Sequence, residues 1–116
     1  TNRSYNTLKY SVNSSIAEIT LDRPPLNLID EESTLEYHAA LRAADSDEDA
    51  KVIILSGAGK GLSAGVDLHF LEQFDSADME RFLRLFYVET LALVRGISKP
   101  IISDIVGKMS ICLTRL

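Results

Sequence analysis

A single cysteine, Cys112, among 116 residues excludes an internal disulfide framework. A lone thiol of this kind is expected to be a small buried hydrophobe and not a nucleophile. No basic start followed by an apolar run is present, so no signal peptide is read, and no apolar stretch is long enough to cross a bilayer. A reducing cytoplasm is the expected location. Cations are also in short supply, with 12 Lys and Arg against 17 Asp and Glu, a net charge of -5. That balance argues against a general nucleic-acid or anionic-membrane binder, both of which need clustered positive charge. A polyanionic ligand would have to be held locally, by a few cations and by main-chain N–H groups. No metal site is expected.

What is present is the composition of one soluble domain, 46% hydrophobic and long enough to bury a core. Leu8 to Val12 and Ile16 to Leu21 read as strands joined by the polar turn Asn13-Ser14-Ser15, the second with period-two alternation of Ala17, Ile19 and Leu21. Arg23-Pro24-Pro25 ends it. Asp30 can cap a helix running to about Ala44, with Thr34, Tyr37, Leu41 and Ala44 on one face. The acidic run Asp45 to Asp49 reads as a solvated loop. Val52 to Leu55 is continuously apolar, as in a strand covered on both faces. A short helix is expected near Asp67. A longer one runs from about Asp78 to Arg95, with Ser76 as candidate cap and Gly96 as the C-terminal stop. Its stripe of Met79, Phe82, Leu83, Phe86, Thr90, Leu93 and Val94 reads as core packing. Ile101 to Val106 is a further strand. Strands alternating with helices make the fold class α/β.

Residues 57–68 admit three readings. A phosphate loop fails, because a Walker motif ending in Gly59-Lys60 needs a glycine where Ile54 stands and Ser or Thr where Gly61 stands. Gly61-Leu62-Ser63-Ala64-Gly65 matches the G-x-S-x-G nucleophile elbow. However, Gly57 to Lys60 separate it from the strand, and the two histidines, His38 and His69, are badly placed for a triad. The third reading is an oxyanion loop. Small Ala64 and Gly65 let a ligand approach the main chain, Asp67 caps the next helix, and N–H groups near Val66 face outward.

The surroundings of that loop resemble the enoyl-CoA hydratase/isomerase (crotonase) superfamily. Ile19 to Asn27, with its Asp-Arg-Pro, is similar to the family's opening strand and exit. Asp47 to Ser63 looks like its central strand and loop, and Ser63-Ala64-Gly65-Val66-Asp67-Leu68 matches its S/A-A-G-A-D-L motif with Val66 for the usual alanine. Ser98-Lys99-Pro100-Ile101-Ile102 resembles its Lys-Pro-x-Ile strand. The resemblance implies a ClpP/crotonase-like spiral of β-β-α turns that takes a coenzyme A thioester as substrate or ligand, with no covalently bound cofactor. It implies that the Val66 N–H is one of two oxyanion donors, and that Ala64, Gly65 and Asp67 form the bend beside the adenine and pantetheine arm. Arg23 and Lys60 would neighbour the CoA phosphates, or equally be solvated surface cations. Leu26 and Leu28 would contact the bent cofactor, or simply pack at the strand exit.

Absence returns at the C-terminal end. The family pattern continues into a glycine-rich turn with the second oxyanion donor and then a helix with a catalytic carboxylate. After Gly107 this sequence has no glycine, and after Asp104 it has no Asp or Glu. Hydration of an enoyl thioester needs a general base and an acid. The expectation is therefore a crotonase-like N-terminal segment over 1–107 and a divergent tail over 108–116, a truncated form incomplete at the C-terminus. Glu72, Asp75 and Asp78 are weighed as substitute carboxylates and read as surface residues. Exposed apolar strands should follow, and with them self-association. The alternatives are a non-catalytic CoA-binding or interaction module and a serine hydrolase using Ser63.

Overall fold

Alternating apolar residues build a five-stranded mixed sheet whose spatial order, β1-β2-β3-β4-β5, follows the chain. The computed structural model describes residues 2–104 except Pro25, Lys60, Gly61 and Ala64, and leaves the side chains of residues 2–4 and 104 undescribed. The strands are β1 (Asn2–Ser4), β2 (Leu8–Asn13), β3 (Ile16–Leu21), β4 (Val52–Gly57) and β5 (Ile101–Asp104). The helices are α1 (Glu31–Ser46), α2 (Leu68–Leu71), α3 (Ser76–Leu83) and α4 (Thr90–Gly96), with a π-helical turn over Arg84–Glu89 between the last two. The 108–116 tail, and Ile105 and Val106 of the expected last strand, lie outside the described residues.

The β2–β3 hairpin closes through Ser14 and Ser15, both at positive φ (51° and 69°). That is the turn whose twist matches the flanking strands. β1 pairs antiparallel with β2, whereas β4 and β5 add in parallel. β1 was not legible in the sequence, because Asn-Arg-Ser carries no alternation.

One face of the sheet is the core. Leu8, Tyr10, Val12, Ala17, Ile19, Leu21, Ile53 and Leu55 are buried there together with Tyr37, Ala40, Leu41 and Ala44 of α1. α1 begins where expected: the Asp30 side chain accepts from Ser33 N while Asp30 N donates to Ser33 Oγ. On the opposite face lies the exposed apolar surface expected from the strand sequences. Ile53 and Leu55 are buried, but Val52 and Ile54 are half-buried, and Ile102, paired with Ile54, is 54% exposed.

The long C-terminal helix departs from expectation in three ways. Asp75, not Ser76, is its cap, accepting from Asp78 N at 2.8 Å. The helix is also not one regular rod. The π turn widens it so that Phe86 and Thr90 both face inward, and Thr90 Oγ1 reaches His38 Nε2 of α1 at 2.6 Å. A π turn depends on such tertiary partners, which no periodicity shows. Leu83 is turned outward and is 41% exposed. Finally, Gly96 is the last helical residue and not a left-handed stop; the chain leaves through Ile97 in an extended conformation. A Cβ on Gly96 would meet nothing within 4 Å. Gly96→Ala should therefore raise stability by about 0.5–1 kcal/mol, chiefly by restricting the unfolded chain, and a rise in the thermal midpoint is the check.

The acidic run is less free than it read. Asp45 accepts from Ser98 N and Oγ at 3.0 and 2.8 Å, and these bonds hold its carboxyl below the usual range. Lys99 Nζ donates to the carbonyls of Ala44 and Asp47, both at 2.6 Å, at the end of α1. α1 has no basic residue in its own last turn, so this cation from the entry to β5 serves there.

Candidate functional site

The exit of β3 and the loop after β4 meet in a single parallel bridge between Ile29 and Val66. Ile29 N donates to Gly65 O, and Asp67 N donates to Ile29 O, both at 2.9 Å. In a parallel ladder one residue bonds the two that flank its partner, so the N–H of the partner itself points away. The Val66 N–H is therefore directed off the bridge, and among the described residues no hydrogen bond engages it. Below it, the Val66 side chain packs with Phe70, Leu71 and Phe74 against buried Ile29, Phe82 and Phe86. The rings of Phe70 and Phe74 meet Phe82 edge-on at 5.2 and 6.0 Å. This aromatic cluster anchors the bend from beneath.

Gly65 makes the bend with φ of +111°, a conformation that side chains rarely adopt. Asp67 caps α2, accepting from His69 N at 3.0 Å and more loosely from Phe70 N at 3.4 Å. α2 is only Leu68–Leu71, so its dipole adds little, and the site's polarity rests on directed main-chain groups.

Asn27 ties the two loops together. It is buried, with φ of +51°. Its Oδ1 accepts from Arg23 N at 2.7 Å, and its Nδ2 donates to the carbonyls of Ala58 and Leu62 at 3.1 and 3.0 Å. Asn27 and Ile29 are the site residues to which sequence reading assigned no role. The signal available was an Asn in a proline-rich strand exit, a residue type that tolerates left-handed backbone.

The expected site residues fall into distinct positions. Gly65, Val66 and Asp67 come together in the bend, while Ala64 and Lys60 lie outside the described residues. Arg23 is neither free nor simply solvated: Nη1 meets Asp30 Oδ2 at 2.8 Å and donates to Leu28 O at 3.1 Å. It braces the loop that carries Ile29. Leu26 is 52% exposed, so it does not pack at the strand exit. Leu28 is half-buried and lines, with Ile29, an apolar recess closed by Leu21, Tyr37, Leu55 and Phe86. Burial pushes the Tyr37 hydroxyl up to about 12, so it stays protonated there.

Ser63 does not behave as an elbow nucleophile. Its Oγ donates to Asn27 O at 2.7 Å and accepts from Gly65 N at 3.1 Å. Neither histidine bonds to it: His38 is buried against Thr90, and His69 is exposed beside Glu72. The substitute carboxylates are placed as surface groups. Asp75 caps α3, Asp78 pairs with Arg81 at 2.7 Å, and Glu72 sits 3.7 Å from His69. Among the described residues no cluster of three His, Cys, Asp or Glu side chains could hold a metal, and no helix is long and apolar enough to cross a membrane.

Known proteins are similar to this chain in sequence and in fold. Carnitinyl-CoA dehydratase of Escherichia coli is 34% identical over 96 residues, which is 82% of this chain and 36% of that protein. The peroxisomal Delta(3,5)-Delta(2,4)-dienoyl-CoA isomerase of Arabidopsis thaliana is 36% identical over 80 residues, 66% of this chain and 29% of its own length. The solved enoyl-CoA hydratase of Thermoplasma volcanium superposes on 87% of the chain with a TM-score of 0.79 at 30% identity, which covers 40% of that structure. The chain thus spans well under half of the relatives it matches. Residues 11–110 match the enoyl-CoA hydratase/isomerase family model, and with the mixed α/β sheet and the Gly65-Val66-Asp67 bend in place the chain belongs to that family.

Proposed function

We propose that this chain supplies the thioester-binding part of a crotonase-type active site, with the Val66 N–H as one oxyanion donor to an acyl-CoA carbonyl. The observation that supports the reading is the Ile29–Val66 bridge, which holds Gly65 and Asp67 and leaves the N–H between them directed away. Members of the family act on CoA thioesters. A preorganised donor of this kind is worth most where charge develops on the carbonyl oxygen. Gly65 and Asp67 form the bend for the adenine and pantetheine arm, and Ala64 is assigned by this proposal to the same arm. Lys60 is the phosphate cation, while Arg23 acts mainly by bracing Leu28 and Asp30. Exposed Leu26 is free to lie against the cofactor.

One donor can bind and polarise a thioester, whereas hydration also needs a base and an acid, and none is assigned among the described residues. The setting is a reducing cytoplasm, which suits the lone Cys112. Self-association through the half-covered Ile54 and Ile102 face belongs to the same proposal. Calorimetric titration of the 116-residue chain with hexanoyl-CoA is the test. One site per chain, no comparable heat from free hexanoate, and no hydration of crotonyl-CoA are the expected results. Saturating heat absent with hexanoyl-CoA would sink the reading, and turnover of crotonyl-CoA would show a base that the present assignment omits.

A further inference from the structure

We propose that Asn27 is a positioning residue that sets the direction of the Val66 N–H, acting through Ser63 and Gly65. A single bridge fixes how far residues 65–67 lie from the β3 exit, but it leaves them able to pivot about Ile29. The second set of bonds removes that freedom. The Asn27 amide grips Leu62 O on one side of the bend, and the Asn27 main-chain carbonyl receives the Ser63 hydroxyl, which in turn receives Gly65 N. The same amide is fixed at its other end by Arg23 N, at the exit of β3. Asn27 thus joins the strand exit to the residues on the N-terminal side of Val66, and the Ile29 bridge joins it to Gly65 and Asp67. With both in place the peptide before Val66 has one orientation. Direction matters because a hydrogen bond weakens steeply once it departs far from linearity. Asn suits the position twice over, through a side chain with both donor and acceptor and through its tolerance of φ near +51°.

The positioning itself is independent of any ligand; its use in polarising a thioester rests on the function proposed above. Two variants separate the amide from the backbone. Asn27→Asp keeps the shape but presents oxygen to Ala58 O and Leu62 O, and Asn27→Gly removes the side chain while keeping the positive φ easy. In the 15N-labelled 116-residue chain, both should speed hydrogen exchange at the bonded Gly65 and Asp67 amides by about tenfold, with β3 and β4 amides unchanged. With hexanoyl-CoA carrying 13C at the thioester carbonyl, the native chain should move that resonance downfield. Asn27→Asp should return it toward the free value while the dissociation constant changes by less than about threefold. Exchange that rises uniformly through β3 and β4, or failure of both variants to fold, would make Asn27 a fold-stability residue and overturn the proposal. Unchanged exchange at the Gly65 and Asp67 amides, or an unchanged carbonyl shift despite local loosening, would overturn it as well. If the native chain takes up no hexanoyl-CoA, the function proposed above falls, and the exchange data alone decide the role of Asn27.

Discussion

Gly65→Ala should weaken hexanoyl-CoA binding more than tenfold and destabilise the fold by about 1–3 kcal/mol, because position 65 holds φ of +111°. The side chain would either stay strained or rotate the peptide back to negative φ. Rotation would displace Gly65 O from Ile29 N and Gly65 N from Ser63 Oγ, now at 2.9 and 3.1 Å. The bend itself, proposed to receive the pantetheine arm, would be displaced with them, a larger change than redirecting one N–H. Gly59→Ala is the matched control. Gly59 also has positive φ (+94°), yet a Cβ there meets nothing within 4 Å and the residue bonds neither Ile29 nor Ser63. It should lower the thermal midpoint while leaving affinity nearly intact. Equal loss of affinity in both variants would mean that strain in the loop, and not the bend at residue 65, governs binding.

Acid should unfold the chain in two stages, the first set by His38. Burial, aided by the positive charge of Arg42 and opposed by Glu89, holds its imidazole below the ordinary 6.5. In the unfolded chain the same group takes up a proton near that ordinary value. The unfolded state therefore binds more protons over the interval between the two, and stability falls as the pH drops from about 6.5 toward the folded value. For one proton the slope cannot exceed about 1.4 kcal/mol per pH unit. Glu36 adds a lower stage. Burial works against its charge, but bonds from Asn6 N, Thr7 Oγ1 and Thr7 N at 3.0, 2.7 and 2.8 Å hold its carboxyl below the ordinary 4.5. Its contribution is complete above that value and is lost as the pH falls through the folded one. Denaturant melts between pH 7 and 3 should show both stages. His38→Gln should flatten the upper one and leave the lower; persistence of the upper slope in that variant would assign it elsewhere.

What could be read from the sequence was local. Asp30, three residues before Ser33 and at the head of a periodic stretch, announces its own cap, and the alternation of Ala17, Ile19 and Leu21 marks a half-buried strand. The motif from Ser63 to Leu68 located the bend. The rest is made by residues far apart in the chain. The Asn27 amide reaches carbonyls 31 and 35 positions away, so nothing in its neighbourhood reveals the link. The π turn answers to His38, 52 residues before Thr90. Arg23 shows the limit best: a basic residue after a strand reads as a free cation until Asp30 is found beside it.

The order of the sheet has a bearing on how the chain is made. Since each strand from β2 onward pairs with the strand before it, every strand that leaves the ribosome finds its partner already outside. The hairpin of β2 and β3 can form first, with α1 laid across it before β4 arrives. Only then does the Lys99 ammonium reach back to the end of α1, fastening the last crossover as β5 joins. Synthesis at about 5–20 residues per second leaves several seconds between the first strand and the last, ample time for a hairpin that closes in microseconds. The described strands are thus ordered for assembly in the direction of translation, and the half-covered isoleucine face is completed only when β5 joins.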